Sequence, residues 1–318
     1  MFIRRISTVL FCISISIYLS NVNEIQEKVF KGIKLGLEST IRYLMDLHLY
    51  FGNEFIEYKI SKCDNKTIKQ PDTIKVQNGY KCPDHQYKTR MISRSPLIIY
   101  IEKFLTEDEM KHLIELAEPW FQPSTIFDKD GILVLDKHRT SSTASIERHE
   151  TPIVKCIEQR FAEFQGNVDV EYLEPLQVVK YVETQEFKPH FDWFTDLDAI
   201  DKIGQRITTF FTYLQSNCSQ AATEFLNIKF NKVLHKRFCD ILICDKNSAE
   251  RGIRFRPLAG NSIFWFNIDE QGQGDRLTIH AGRPPIKDGY KIGLNTWTHT
   301  KRVPVKLRIN EDKPVNRS

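Results

Sequence analysis

The segment KPHFDWF, residues 188–194, constrains the fold of this chain more than any other stretch. It is aromatic and extended in character, and it places His190 and Asp192 two residues apart. Side chains at positions i and i+2 of a β-strand leave the same face of the sheet. The segment therefore predicts a strand that presents an imidazole and a carboxylate side by side and fixes their separation, as a metal site requires.

A third ligand has to come from another part of the chain, and His280 is the candidate. It begins the segment His280-Ala281-Gly282, far downstream of Asp192 and after another β-rich run. Two histidines and one carboxylate on one face of an octahedron leave three positions open, which is typical of non-haem Fe(II) oxygenases. We therefore predict that His190, Asp192 and His280 bind one Fe(II) ion.

Lys291 is the second informative position. It lies in GYKIGLNTW, residues 289–297, a stretch that is typical of a strand pairing back on the core. A lone cation inside a largely apolar barrel is costly unless an anion meets it. A bound dicarboxylate would supply that anion, with one end on the iron and the far carboxylate paired with Lys291.

These residues resemble the catalytic domain of the prolyl 4-hydroxylases, within the Fe(II)/2-oxoglutarate dioxygenases, over residues 95–302. The matching elements recur in family order: Tyr181, the His190/Asp192 pair, Arg206 with Tyr213-Leu214, Phe264-Trp265, His280-Ala281-Gly282, and Lys291 with Trp297. The resemblance implies Fe(II) as the metal, 2-oxoglutarate and O2 as co-substrates, and ascorbate as a cofactor. It also implies that Lys291 holds the C5 carboxylate of 2-oxoglutarate and that Tyr181 and Thr223 line its pocket.

Four more residues are candidates for contacting or supporting the substrate: Arg139, Phe187, Arg206 and Trp297. Arg139 begins an Arg-Thr-Ser-Ser stretch that resembles one in the compact family members, and both arginines could equally form structural ion pairs. Phe187 stands where many members carry a tyrosine that contacts the peptide. Ala221-Ala222 replaces a Gly-Gly pair before Thr223. These departures remove no metal ligand, but they bear on the choice of substrate.

The resemblance implies 4-hydroxylation of peptidyl proline in a proline-rich or collagen-like protein of the secretory pathway. Two alternatives stay open at this point. One is a dioxygenase of the same fold that acts on a non-prolyl substrate, such as lysine or a small molecule. The other is a non-catalytic lumenal binding module that keeps the barrel without turnover. None of the three metal-binding residues is missing from the sequence, which favours an enzyme.

The pattern of apolar, polar and turn residues along the chain predicts a mainly β fold with flanking helices. After Val168, short alternating strands with turn residues between them predict a double-stranded β-helix, or jelly roll. Upstream, Pro96–Ile101 has the pattern of a strand. Thr106 is a candidate cap for a helix that runs to about Ala117, and a second helix is predicted from Pro152 to Phe164. Both helices are expected to pack outside the β core.

The N-terminal residues carry information about the compartment. Residues 1–5 are short and basic, and the apolar run at residues 6–20 is shorter than the roughly 20 residues that a spanning helix needs. The run predicts either a signal peptide or an uncleaved type II membrane anchor within residues 1–22. Either one delivers the chain to the endoplasmic reticulum lumen or the secretory pathway.

The remaining chain divides into three predicted parts. Residues 23–94 are predicted to form an N-terminal helical segment, amphipathic at about residues 23–52, and a linker. Residues 95–310 are predicted to form the catalytic domain, and residues 311–318 a polar tail. The residues before Ser95 are too few for the separate peptide-binding domain of the animal collagen enzymes. A disulfide-isomerase partner is therefore not assumed, and the oligomeric partner is left open.

Charge and cysteine usage set two further expectations. The 45 basic and 41 acidic residues are intermixed and give a formal net charge of +4, so no basic stripe predicts nucleic-acid binding. Cys63 and Cys82 bracket a short polar stretch, where a disulfide would suit an oxidising lumen. A second bridge is expected among Cys218, Cys239 and Cys244, while Cys156 is expected to stay buried.

Overall fold

The computed structural model describes residues 80–127, 133–218, 220–248 and 251–303. The helices of this part of the chain are α1 (Glu107–Ala117), α2 (Pro152–Phe164), α3 (Leu197–Ile203) and α4 (Lys232–His235). Its strands are β1 (Lys88–Arg94), β2 (Leu97–Glu102), β3 (Gln122–Pro123), β4 (Thr125–Phe127), β5 (Leu133–Leu135), β6 (Ser142–Ser145), β7 (Gln177–Val182), β8 (Phe187–His190), β9 (Arg206–Ser216), β10 (Thr223–Lys229), β11 (Gly252–Phe255), β12 (Ser262–Phe266), β13 (His280–Gly282) and β14 (Tyr290–His299).

Two antiparallel sheets form the core of the fold. The larger sheet has the strand order β1-β2-β12-β9-β14-β7-β6-β3, and the smaller sheet has the order β11-β10-β13-β8. Strands β4 and β5 form a separate hairpin. Side chains from both sheets share one apolar cluster, which includes Tyr213 and Trp265 from the larger sheet and Phe225 and Ile253 from the smaller one. The mainly β fold with two facing sheets, predicted from the strand texture, is confirmed.

Successive side chains along the strands of the larger sheet point to opposite faces, and each face contributes to a separate apolar core. On β2, Leu97, Ile99 and Ile101 pack with the helices, whereas Ile98 and Tyr100 pack in the cluster between the sheets. This is the period-two pattern expected of a strand that is covered on both faces. The outer core thus holds the helices in place, and the inner core leaves room for a pocket between the sheets.

Helices α1 and α2 cover the outer face of the larger sheet, as predicted. Thr106 caps α1 through a capping box: its hydroxyl accepts from the backbone N–H of Glu109, and the Glu109 carboxylate accepts from the backbone N–H of Thr106. The same carboxylate binds the guanidinium of Arg160 on α2 through two contacts of 2.7 Å. A buried ion pair therefore joins the two helices, and both predicted helix ranges are confirmed.

β1, which precedes the predicted start of the catalytic domain at residue 95, pairs with β2 along the edge of the larger sheet. One sequence-based expectation about the upstream segment is wrong. Cys82 does not pair with Cys63, because it forms a disulfide with Cys156 on α2, with a Cα–Cα distance of 5.5 Å. The cross-link from α2 needs a partner 74 residues away in sequence, so local composition could not indicate it.

The expected second bridge is present as Cys239–Cys244, within the segment that follows α4. The predicted leader at residues 1–22, the helix at about residues 23–52 and the polar tail at residues 311–318 lie outside the described residues. None of the helices in the described part of the chain is both long and apolar enough to cross a membrane.

Candidate metal centre and co-substrate pocket

The smaller sheet brings the two predicted histidine ligands together. His190 is the last residue of β8, His280 is the first residue of β13, and the two residues pair directly opposite each other. The carboxylate of Asp192 faces both rings, with 3.6 Å from Oδ1 to His190 Nε2 and 3.6 Å from Oδ2 to His280 Nε2. Ligand atoms of all three side chains lie within 4.8 Å of one another. The structure therefore gathers His190, Asp192 and His280 into a cluster that can hold one metal ion.

Backbone carbonyl groups orient both imidazoles towards this centre. His190 Nδ1 lies 2.7 Å from the carbonyl oxygen of Lys188, and His280 Nδ1 lies 2.9 Å from that of Thr278. A carbonyl oxygen can only accept, so each Nδ1 carries the proton and each Nε2 presents a lone pair. Metal-bound histidines are commonly oriented in this way.

Burial and the neighbouring charges keep His190 and Asp192 in their metal-binding protonation states. Burial, together with the charge of His280, lowers the pKa of His190 to about 3, so the ring is neutral at physiological pH. Burial alone would raise the pKa of Asp192, but the nearby His280, His190 and Arg206 outweigh that effect and lower it. The cluster thus offers the neutral imidazole of His190 and the carboxylate of Asp192 beside the ring of His280.

Asp192 is not held by a strand, contrary to the expectation from its i+2 spacing. β8 ends at His190, and Asp192 lies in the irregular segment that follows. Its Oδ2 instead accepts a hydrogen bond of 2.9 Å from the hydroxyl of Thr209 on β9, and Thr209 Oγ1 accepts one of 2.8 Å from Asn267 Nδ2. Neither Thr209 nor Asn267 was a candidate from the sequence, because a threonine in a strand and a single asparagine after one carry no motif.

Lys291 lies on β14, deep between the sheets. Its side chain has no exposed surface, and its Nζ has no hydrogen-bond partner among the described residues. Nζ lies 4.5 Å from the ring centroid of Tyr181 and 5.9 Å from that of Phe211. Burial lowers the pKa of Lys291 to about 7. This is a buried amine that lacks an anionic partner, as predicted for the site of a carboxylate ligand.

Tyr181 and Thr223 lie on opposite walls of the pocket that contains the three metal-binding candidates. Tyr181 on β7 pairs opposite Lys291, and burial raises its pKa, so its phenol stays protonated. Thr223 on β10 accepts a hydrogen bond of 2.8 Å from the hydroxyl of Tyr213. Gly282 leaves space for Tyr181, because a Cβ at that position would lie 3.1 Å from the tyrosine hydroxyl. The structure therefore places Tyr181 beside Lys291 and Thr223 in the same pocket as Tyr181.

Phe187 and Arg139 form one side of the pocket opening. The Phe187 ring stacks on the His190 ring with 3.4 Å between centroids and an angle of 14°. The Arg139 guanidinium lies 4.9 Å from the centroid of the Phe187 ring and donates a bond of 2.7 Å to the side chain of Gln177. Arg139 thus packs behind Phe187, which covers the ligand His190.

Trp297 and Arg206 form another side of the pocket opening. Trp297 lines the pocket, and the Arg206 guanidinium lies 3.9 Å from its ring centroid. Arg206 also binds both carboxylate oxygens of Glu174, at 2.6 and 2.9 Å, and Glu174 accepts a further bond of 2.5 Å from His299. Arg206 therefore supports the tryptophan wall through an ion pair. Glu174 and His299 were missed because their partners are far away in sequence.

Comparison with known proteins decides the family. The sequence model of the 2OG-Fe(II) oxygenase superfamily matches residues 176–299, which contain all three metal-binding candidates and Lys291. Prolyl 4-hydroxylase 2 of Arabidopsis thaliana is 32% identical over 215 residues, which make up 67% of this chain and 70% of the plant protein. Prolyl 4-hydroxylase 1 of the same plant is 31% identical over 217 residues, or 67% and 72% of the two chains.

This chain belongs to the prolyl 4-hydroxylase family. It is a 2OG-Fe(II) dioxygenase of that family, as the resemblance implied. A solved structure of viral collagen prolyl hydroxylase from Paramecium Bursaria Chlorella virus-1, in complex with 2OG, is also similar. It has 24% sequence identity and a TM-score of 0.45, and the match covers 63% of this chain and 94% of the viral one.

The residues of this prolyl 4-hydroxylase family member fit the ion and co-substrate of the family. Two imidazoles and one carboxylate are the donor set of non-haem Fe(II) sites with open positions. The buried Lys291 amine fits a co-substrate that carries a second carboxylate, because that carboxylate would supply the missing anion. The pocket between the sheets connects the two features, since Tyr181 and Thr223 line it and Tyr181 also contacts Lys291.

Proposed function

We propose that the chain hydroxylates proline residues at C4 in a proline-rich or collagen-like protein of the secretory pathway. The observation that carries the proposal is the His190-Asp192-His280 cluster in the same barrel as a buried lysine that has no anionic partner among the described residues. The prolyl substrate rests on family membership, since the relatives that cover most of their own length here are named prolyl 4-hydroxylases.

The proposed roles follow from the contacts in the site. When bound, Fe(II) and 2-oxoglutarate supply the oxidation of a C–H bond by O2, with conversion of 2-oxoglutarate to succinate and CO2. His190, Asp192 and His280 hold the ion on one side and leave the side towards the pocket open. Lys291 pairs with the far carboxylate of 2-oxoglutarate, and the Tyr181 and Thr223 hydroxyls border it. Ascorbate is the proposed reductant that keeps the iron ferrous.

Aromatic side chains around the opening suit a prolyl substrate. Phe187 and Trp297 both line the pocket and are held from behind by Arg139 and Arg206, respectively. Flat apolar walls of this kind suit the ring of a proline, and a polyproline helix is preformed and therefore loses little entropy on binding. We propose that Phe187 and Trp297 contact the substrate and that the two arginines act through them.

The proposed compartment is the endoplasmic reticulum lumen, reached through a cleaved signal or a type II anchor at residues 6–20. The disulfides Cys82–Cys156 and Cys239–Cys244 support an oxidising compartment. The basic stretch followed by a short apolar run at the N-terminus supports entry into the secretory pathway.

The test is conversion of 2-oxoglutarate to succinate by the full-length protein with Fe(II), ascorbate and a proline-rich peptide. The controls are the same peptide with alanine in place of proline, and the His190→Ala enzyme. We expect turnover that requires the prolines and His190. Turnover that requires His190 but ignores the peptide would support a dioxygenase with another substrate. Absence of turnover in folded, iron-loaded protein would support the binding module and overturn the proposal.

A further inference from the structure

The carboxylate ligand depends on the larger sheet, unlike the two histidines. His190 and His280 lie on paired strands of the smaller sheet, and backbone carbonyl groups fix their rings. Asp192 lies beyond the end of β8, so strand pairing does not hold it. Its Oδ2 instead accepts a hydrogen bond of 2.9 Å from the hydroxyl of Thr209 on β9, and the side chain of Trp297 on β14 of the same sheet also interacts with the carboxylate. The position of Asp192 is therefore set from the opposite side of the barrel.

Asn267 determines which way the Thr209 hydroxyl points. Asn267 Nδ2 donates to Thr209 Oγ1 at 2.8 Å, which occupies a lone pair of that oxygen. The single hydroxyl proton is then free for Asp192 Oδ2, 2.9 Å away. If the Asn267 amide were reversed, Thr209 would donate to Asn267 and turn a lone pair towards the carboxylate, which is repulsive. The N–H donated by Asn267 and the negative charge of Asp192 thus favour the same direction for the two hydrogen bonds of Thr209.

Backbone hydrogen bonds hold Asn267 in place, so its side chain is a fixed donor to Thr209. Its N–H donates to the carbonyl of Ile207 at 2.8 Å, and its carbonyl accepts from the N–H of Asp275 at 2.9 Å. Thr209 and Asn267 are both buried, with 1% and 0% of their surfaces exposed. Water therefore does not compete for these bonds, and low local polarity strengthens them.

We propose that Thr209 and Asn267 form a positioning relay that fixes the orientation of the Asp192 carboxylate towards the metal site. The inference rests on the proposed Fe(II) site and adds two residues that do not touch the ion. Partners that orient a ligand in this way typically change metal affinity about 10- to 100-fold when they are removed. The relay therefore sets how tightly the protein holds its metal.

The test measures Mn(II) binding to metal-free, full-length protein by electron paramagnetic resonance, without 2-oxoglutarate or peptide. Thr209→Val keeps the side-chain shape and removes the hydroxyl, and we expect about 10- to 100-fold weaker binding. Thr209→Ser restores the hydroxyl and should restore the affinity. Asn267→Leu should weaken binding in the same direction, and the Thr209→Val/Asn267→Leu protein should be no worse than Thr209→Val alone, because Asn267 acts through Thr209.

Thr208→Val is the matched control. Thr208 is the neighbouring buried threonine on β9, but its hydroxyl donates to Gln165 at 2.7 Å instead of to Asp192. We expect this variant to bind Mn(II) like the wild type. Urea unfolding of the metal-free proteins, run in parallel, separates loss of affinity from loss of folding. If Thr209→Val does not fold, the comparison of Asn267→Leu and Thr209→Ser with the wild type decides the question.

The possible outcomes distinguish this inference from the proposed function. Thr209→Val or Asn267→Leu protein that binds Mn(II) as tightly as the wild type overturns the relay and leaves the metal site intact. Equal weakening by Thr208→Val also overturns it, because any buried threonine of the strand would then have the same effect. Wild-type protein that binds no Mn(II) overturns the proposed metal site itself.

Discussion

Replacement of Lys291 by methionine should raise the stability of the ligand-free protein while it removes 2-oxoglutarate binding. Burial lowers the pKa of Lys291 from 10.5 to about 7. Below pH 7 the lysine is charged in both states, and a shift of that size then costs about 5 kcal/mol of folding free energy. Between the two pKa values the unfolded state binds more protons, so this cost falls as the pH rises and is about 3 kcal/mol near pH 8. Methionine has a similar length and carries no charge.

We therefore expect Lys291→Met to increase the free energy of unfolding by up to about 3 kcal/mol near pH 8, less any loss of packing. The wild type should gain stability as the pH rises from 7 towards 10, and the variant should lack that slope. In the wild type, 2-oxoglutarate with Mn(II) should add about 2.7 kcal/mol at a concentration of 100 times its Kd. In Lys291→Met this addition should disappear.

Urea unfolding at several pH values, with and without 2-oxoglutarate and Mn(II), measures all of these effects. Lys180→Met is the matched control, because Lys180 lies on β7 and is partly exposed with its amine 3.2 Å from Glu118. Its stability should change by less than about 0.5 kcal/mol, and 2-oxoglutarate should still stabilise it. If Lys291→Met is less stable than the wild type and still responds fully to 2-oxoglutarate, then Lys291 is a structural residue and our reasoning is refuted.

Three further predictions concern other parts of the site. Burial would raise the pKa of Glu174, but the charge of Arg206 and the hydrogen bonds to the carboxylate lower it to about 2. The ionised carboxylate therefore stabilises the fold above about pH 4.5, and this contribution is lost as the pH falls towards 2. Glu174→Gln should lower the free energy of unfolding by at most about 3 kcal/mol near neutral pH, and equal midpoints of urea unfolding for the variant and the wild type would contradict this. Gly293→Ala should lower the free energy of unfolding by about 1–3 kcal/mol and weaken 2-oxoglutarate binding, because the added Cβ would lie 2.5 Å from the Phe211 ring in the pocket. An unchanged affinity for 2-oxoglutarate in calorimetry would count against this. His280→Ala should abolish the stabilisation of the protein by Mn(II) in thermal unfolding, and retained stabilisation would place the metal elsewhere.

The residues that could be predicted from the sequence are those that carry a local pattern. His190 and Asp192 stand two apart in an extended run, Lys291 is a lone cation in an apolar one, and Thr106 is followed by the glutamate of a capping box. Each pattern has a direct physical reason within a few residues, and the structure brings the predicted ligands and pocket residues together. The two helices could be predicted for the same reason, since caps and apolar periodicity are local properties.

The features that the sequence did not indicate depend on contacts between distant segments. Thr209 supports Asp192 across the barrel. Glu174 reaches Arg206 on β9 because its backbone N–H bonds to the carbonyl of Trp297 on β14, the strand next to β9. The disulfide of Cys82 follows from the packing of α2 and not from the spacing of cysteines. Such contacts are set by the register of the strands, which a single sequence does not specify.

The most direct test of the central claim is mass spectrometry of a proline-rich peptide after incubation with the full-length protein, Fe(II), 2-oxoglutarate, ascorbate and isotopically labelled O2. We expect labelled hydroxyl at C4 of proline, one labelled oxygen in succinate, and neither product with His190→Ala. Labelled succinate without hydroxyproline would contradict the prolyl substrate, and the absence of both products from folded wild-type protein would contradict the dioxygenase itself.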